Sequence, residues 1–273
     1  MAETVVITPP GRFSVPHWRE LWNAREILFQ FGMRDVLLRY RQTAVGVAWV
    51  VVQPLAAAAV FSVVFGRVAG LSSAGVPYFL FTYMGMLAWT LFSTALSRSA
   101  ASVVGSQALI QKVFFPRLIV PAASVLSSVV DFVVGLLFGL VLLVVYGVNP
   151  GFQVLLAPVV ALLFLMFGLG IGTAASAVMV RYRDVAYVLP WLIQVLLFAS
   201  PVAYALDAVP SSLKLWFEAN PLTWYLELFR YTLLRQPAPP AWQFVGAAVL
   251  APLVLAGGVL VFQQFERRFA DIV

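Results

Sequence analysis

The amino-acid sequence reads as an all-α integral membrane protein with six transmembrane helices. Three observations carry this reading. Hydrophobic residues make up 62% of the 273 positions and charged residues only 10%, where a soluble domain has roughly a quarter of its residues charged. Lipid, not water, must therefore face most of the surface. Several apolar runs reach about 20 residues, the length at which a helix crosses a bilayer core. Lys and Arg gather at the ends of those runs, mostly on alternate sides, as residues that set membrane orientation do.

Residues 1–11 show no pattern and read as a tail. With residues 12–43 they make a unit, 1–43, distinct from the membrane domain at 44–273. Within it Trp18, Leu21, Trp22, Arg25, Leu28 and Phe29 recur at helical spacing, with Arg19, Glu20 and Glu26 elsewhere on the wheel. Such a segment is too polar to span and is expected to lie in the membrane interface. A second piece, RDVLLRYR, sets Arg34, Arg39 and Arg41 just before the first span. Spans are expected at about 44–65, 78–96, 118–146, 154–180, 185–206 and 244–262. Pro54 is expected to kink the first. The pairs Gly135/Gly139 and Gly168/Gly172 suit close helix contacts within one protomer. The stretch 207–236 holds Asp207, Lys214, Glu218, Glu227, Arg230 and Arg235, too many charges to cross against lipid. It is divided at Asn220-Pro221 and reads as two re-entrant half-helices in the outer interface, which is allowed where protein or water surrounds the backbone.

Six crossings bring both termini to one side. If that side is the cytoplasm, only Arg67, Lys214, Arg230 and Arg235 of the 17 Lys and Arg residues fall outside, so both termini are assigned to the cytoplasm. The first forty residues lack the apolar stretch of a cleavable signal, so insertion is expected through the first span.

Much chemistry is excluded. No cysteine is present and His17 is the single histidine, which argues against disulfides, thiolate chemistry, histidine metal centres and a Ser-His-Asp triad. The two lysines, Lys112 and Lys214, precede Val113 and Leu215. A phosphate-binding P-loop would need Ser or Thr there, so ATP, if it drives anything, sits on another chain. The net charge of +6 lies at membrane-span ends, which speaks for topology and against nucleic acid.

The loop at about 97–117 contains Leu109, Ile110, Val113, Phe114 and Phe115 between Gly105 and Arg117. Either a partner's groove receives this apolar face, or it folds back on the end of its own bundle. Two aromatic stripes share helical faces: Tyr187, Trp191, Gln194 and Phe198 in the fifth span, and Phe81, Gly85, Trp89 and Phe92 in the second. One reading is a passage lined by rings and an amide; packing against lipid or neighbouring helices is the alternative. Asp131 is the one acid deep in a span. Lacking an intramembrane basic partner it makes a poor proton path, and it is expected either to bond to Ser124, Ser127 or Ser128 or to be neutralised by protonation.

One resemblance gathers these features. LRYRQTAVGVAWVVVQP at 38–54, LIQKVFFPRLIVP at 109–121, SSVVDF at 127–132, RYRDV at 181–185 and NPLTWYLELFRYTLL at 220–234 resemble, in order, the motifs of ABC-2-type polysaccharide permeases. These are the O-antigen and teichoic-acid exporters of the Wzm and TagG/TarG kind. The resemblance implies the transmembrane subunit of an ATP-driven exporter of a lipid-linked glycan, in the bacterial inner membrane. It implies a homodimer paired with two ATPase subunits that hold ATP and Mg2+, with no cofactor on this chain and no enzyme activity of its own. It implies that 105–117 is the short cytoplasmic coupling helix, with Leu109, Gln111, Lys112, Val113, Phe114 and Arg117 toward the ATPase. The N-terminal helix, with Trp18, Trp22, Arg39 and Arg41, would be an interfacial gate, and 207–236 the periplasmic gate helices. An ion-coupled secondary transporter is the alternative. It needs a coupling-ion site near the midplane, for which Asp131 alone is available. A membrane enzyme would need clustered polar catalysts, and the sparse acids and lone histidine argue against it.

Overall fold

The computed structural model describes residues 22–41, 48–110, 112 and 115–266. Trp18, Gln111, Val113, Phe114 and the side chain of Arg41, singled out above, lie outside the described residues. Every regular element among the described residues is helical: α1 Arg25–Arg41, α2 Ala48–Phe61, α3 Tyr78–Gly105, α4 Gln107–Ile110, α5 Ile119–Ser124, α6 Leu126–Val145, α7 Ala157–Arg181, α8 Val185–Phe198, α9 Ser211–Ala219, α10 Pro221–Leu234 and α11 Ala241–Glu266. A π-helical stretch, Ser62–Val68, prolongs α2, and a 3-10 turn, Gly151–Leu156, leads into α7. Arg25, Leu28 and Phe29 of the first piece and Arg34–Arg41 of the second thus lie in one helix, α1.

Five stretches are long and apolar enough to cross a membrane: Ala48–Val68, Tyr78–Gly105, Ile119–Val145, Gly151–Arg181 and Ala241–Glu266. The expected fifth span, 185–206, departs from this. Its helix, α8, stops at Phe198 after 14 residues, about 21 Å against a core of about 30 Å. Ser200 and Pro201 follow, and proline cannot continue the hydrogen-bond ladder. The freed carbonyls find other donors. The Tyr204 hydroxyl donates to the Phe198 carbonyl at 2.8 Å and Asn220 Nδ2 to that of Ala199 at 3.2 Å. Hydropathy alone runs on through this break because the residues beyond it are apolar too.

The loop expected from 97 also changes. α3 stays helical to Gly105 over 28 residues, which keeps Arg98 on the bundle. The break at Asn220-Pro221 divides two helices as expected: the Asn220 side chain accepts from Leu222 N at 3.0 Å and Pro221 opens α10, where its missing N–H costs nothing.

α3 is the axis of the bundle and touches α2, α6, α7 and α10. Small residues set how closely its neighbours approach. A Cβ on Gly168 or Gly172 would lie 2.9 Å from the Phe92 carbonyl or 2.7 Å from that of Leu96, and one on Gly135 would lie 2.6 Å from Leu87. Both glycine pairs therefore serve contacts with α3 inside the protomer, as expected. The order of these contacts makes α7 parallel to α3 and α6 antiparallel. α11 joins α7 backbone to backbone, with Gly258 facing the Gly170 carbonyl.

The core is aromatic. The Phe92 ring stacks on Phe164 at 5.0 Å, and Phe164 on Tyr225 at 5.0 Å. The second-span stripe is corrected here: Phe81 and Phe92 are wholly buried and Trp89 is 4% exposed, so they fill the protomer's own interior and line no passage. Their regular spacing marks the face that packs on α7 and α10, because aromatic rings supply the largest contact area per side chain.

Val103, Ala177, Val180 and Phe262 cluster at one end of the bundle. α1 lies at the same end, with Ala24 against Phe115, Ile119 and Val120. Both ends of the described chain thus share one side, hereafter the inner end. The turns at 69–77, 147–150 and 234–237 meet at the other.

Gly258→Ala tests the glycine contact. Its Cβ would stand 2.0 Å from the Gly170 carbonyl, whereas a Cβ on Gly257 meets nothing within 4 Å. In detergent, Gly258→Ala is expected to lower the thermal unfolding midpoint by several degrees, as an overpacking cost of about 1–3 kcal/mol would. Gly257→Ala is expected to leave it unchanged; equal midpoints would place α11 elsewhere.

Candidate functional site: a charged inner junction and an exposed aromatic helix

Asp131 sits on the inner half of α6 with its side chain 8% exposed. It is not the partnerless acid that the sequence suggested. Arg39 Nη1 lies 2.8 Å and Arg98 Nη2 3.0 Å from its Oδ2, and the Tyr40 hydroxyl donates to Oδ1. None of the serines expected as its partners bonds to it: Ser124 and Ser127 bond elsewhere, and the buried Ser128 hydroxyl meets no partner among the described residues. Ser127 accepts from Arg98, and Ser124 and Ser127 donate to the carbonyls of Pro121 and Ser124. Burial, and after it the hydrogen bond to Asp131, push the Tyr40 phenol above its ordinary value, so it remains a donor. The sequence hid this junction because Arg39 and Arg98 were assigned to an interface helix and a loop. The continuation of α3 and the docking of α1 bring them to one carboxylate. The junction joins α1, α3 and α6.

The segment after α3 folds back onto the same end. Leu109 and Ile110 pack beside Phe115, whose ring stands edge-on to Phe31 of α1 at 5.3 Å. These three residues contact their own protomer. Lys112 is exposed, and Arg117 Nη1 donates to the Glu266 carbonyl at 3.0 Å. α1 and the turn before it keep a second, bare face, on which Trp22, Phe29, Met33 and Leu37 are exposed. Arg25 lies 5.3 Å over the Trp22 ring.

α8 contrasts with α3. It has no buried residue, and Tyr187 is 82% and Trp191 65% exposed, with Gln194 and Phe198 exposed beside them. The protomer leaves much of this stripe bare, although its spacing resembles that of the buried stripe on α3.

Toward the outer end lies a group that sequence reasoning missed. Arg230 of α10, counted above among outside charges, is fully buried. Its guanidinium lies 3.8 Å from the Phe81 ring centroid, donates to the Val202 carbonyl at 2.6 Å and reaches Glu227 at 3.2 Å. Gly85 makes the room, since a Cβ there would fall 2.2 Å from the Val202 carbonyl and 2.6 Å from Arg230 Nη2. The visible signals were a Glu-Arg pair three residues apart in an apolar helix and a glycine inside the aromatic stripe of α3.

This helical assembly has known relatives. The family described as ABC-2 type transporter matches residues 27–234. The chain belongs to that family. The matched range takes in most of α1, the inner junction, α8 and α10. Among ABC-2 relatives, the chain is 28% identical over 257 residues to the O-antigen export system permease protein RfbA of Myxococcus xanthus, covering 93% of this chain and 98% of the relative. It is 24% identical over 255 residues to a protein of the same name from Klebsiella pneumoniae, covering 91% and 95%. To the polysialic acid transport protein KpsM of Escherichia coli it is 21% identical over 207 residues, covering 74% and 79%.

Asp131→Ala would leave two arginines without their shared acid. The expected cost is about 1–3 kcal/mol, below that of a fully buried pair because Arg39 keeps contact with water. Trypsin cleavage after Arg34 and Arg39 is expected to quicken several-fold in the folded variant. Unchanged cleavage would mean that the contact of Phe31 with Phe115 holds α1 by itself.

Proposed function

We propose that this chain is the transmembrane permease subunit of an ATP-driven exporter that carries a lipid-linked cell-surface polysaccharide out across the bacterial inner membrane. The observation that carries the reading is the end-to-end match to an O-antigen export permease, 93% of this chain on 98% of the relative. The chain holds no nucleotide site, so hydrolysis belongs to a separate ATPase subunit carrying ATP and Mg2+. Two copies of each are expected, with this chain as the homodimeric membrane part.

Six crossings remain the best account of the topology, with one of them built from two helices. Asn220, at the start of α10, bonds to Ala199 and Ser200 at the end of α8. α8 and α10, of 14 residues each, together reach about 42 Å, with α9 as a short excursion between them. This gives three crossings in each direction and agrees with both ends of the described chain lying at the inner end. The cytoplasm is assigned there because most of the basic residues fall on that side.

In this reading the ATPase seats on 105–117, with Lys112 facing it. Closure of the ATPase pushes that segment. Phe115 carries the push to Phe31, and Arg117 carries it to the end of α11. The Asp131 junction passes the displacement of α1 to α3 and α6. The Tyr187, Trp191, Gln194 and Phe198 face of α8 lines the passage between two copies, where rings meet the C–H faces of sugars and the amide meets hydroxyls, with no charge to arrest the polymer. The ion-coupled alternative loses its one candidate residue, since Asp131 is occupied by two arginines and a phenol.

Co-purification with the ATPase encoded beside its gene tests the assignment. A complex with the mass of two copies of each supports it, and a chain that purifies alone overturns it. Within the complex, Lys112→Glu is expected to leave ATP hydrolysis measurable and to cut glycan export by about tenfold or more, as loss of a charge contact worth about 1.5–3 kcal/mol would. Undiminished export would remove Lys112 from the coupling surface. Trp191→Ala is expected to slow export without changing the amount of complex recovered, because the protomer leaves most of that ring bare; full export would take α8 away from the passage.

A further inference from the structure

A cavity of about 400 Å3 opens at the inner end between α1, α3 and the start of the third crossing. Arg34 and Arg39 of α1 and Arg98 of α3 line it together with the carboxylate of Asp35, with Ser106 among the polar groups and Phe31 as an apolar wall. Membrane orientation asks only for positive charge on the inner side. It does not require three guanidinium groups from two helices to face one hollow.

The neighbouring acids do not balance them. Asp35 serves Arg34. Asp131 receives both Arg39 and Arg98 on the single oxygen Oδ2, and Tyr40 takes its other oxygen. Three guanidinium groups against two carboxylates leave one positive charge over. N–H donors not spent on these acids remain for another acceptor. Arg34 and Arg39 are both partly open to solvent, so an entering group reaches them without unfolding the junction. The planar guanidinium fork matches phosphoryl oxygens two at a time, and several forks facing one hollow suit a group with several such oxygens.

We propose that this cavity binds a phosphoryl group, best a diphosphate, through Arg34, Arg39 and Arg98. The diphosphate of a lipid-linked substrate and free inorganic diphosphate present the same chemistry. The inference rests on the exporter reading only for why such a group arrives there. An anion in the cavity draws on the same guanidinium groups as Asp131, so carboxylate and phosphoryl compete. Binding therefore loosens the junction that holds α1 to α3 and α6.

The test uses the full chain in phosphatidylcholine nanodiscs with two probes: a polyprenyl diphosphate lipid incorporated in the disc and read by native mass spectrometry, and inorganic diphosphate in solution read by calorimetry. Arg34→Gln is expected to weaken binding by about tenfold, as loss of one charge-assisted hydrogen-bonding group does. Asp131→Asn, which removes the competitor, is expected to tighten it several-fold. Arg181→Gln, at the same end but outside the cavity, is expected to change neither. Retention of the lipid alone makes a lipid headgroup the ligand; equal binding of both probes makes the diphosphate itself the recognised unit; either supports the site. Failure of both probes to bind overturns it, as does an equal loss in Arg34→Gln and Arg181→Gln, which is the behaviour of general surface charge. If Asp131→Asn does not fold, the comparison of Arg34→Gln with Arg181→Gln decides. No ATPase and no export enter the measurement, so its failure is separate from failure of the exporter reading.

Discussion

Between helices surrounded by lipid the hydrophobic effect supplies no force, because a hydrocarbon tail is as good a neighbour as a leucine. What holds this bundle together is close approach, which the glycines permit. With Gly258 set against the Gly170 carbonyl and Gly172 against that of Leu96, α3, α7 and α11 come near enough for backbone to touch side chain or backbone along their lengths. The aromatic stack of Phe92, Phe164 and Tyr225 then fills the space that remains. The three parallel helices form one body, and the antiparallel α2 and α6 lean on it.

The polar contacts obey a different logic. Each joins a peripheral element to that body at one point: Asp131 joins α1 to α6 and α3, Arg230 joins α10 and the turn at Val202 to α3, and Asn220 joins α10 to the end of α8. A buried charge cannot be left unpaired without cost, so each point specifies a position more than it adds strength. The inner point is partly open to water and the outer one is sealed. Displacement at the inner end therefore costs less than at the outer.

How far the sequence could be read depended on whether a feature was local. Asn220-Pro221 announces a helix start by its own chemistry, and helices do meet there. The glycine pairs announce close contact, and α3 takes both. The stripes at Phe81, Trp89 and Phe92 and at Tyr187, Trp191 and Phe198 look alike in sequence, yet one is interior and the other bare, because periodicity marks a face and says nothing of what covers it. The end of α8 at Phe198 was illegible, since the apolar residues beyond it satisfy hydropathy without continuing the helix. Asp131 and Arg230 were misread for the same reason. Their partners lie 92 and 33 residues upstream of the acid for Arg39 and Arg98, and 28 upstream of the arginine for Val202, and only the fold brings them together.

The bare face of α8 has a consequence for how such a protein changes over time. Tyr187, Trp191, Gln194 and Phe198 contribute little to the interior of their own subunit, so exchanging them disturbs few packed neighbours. A glycine such as Gly258 has no such latitude. The surface that one helix shows can therefore drift in sequence while the pillar beside it stays fixed.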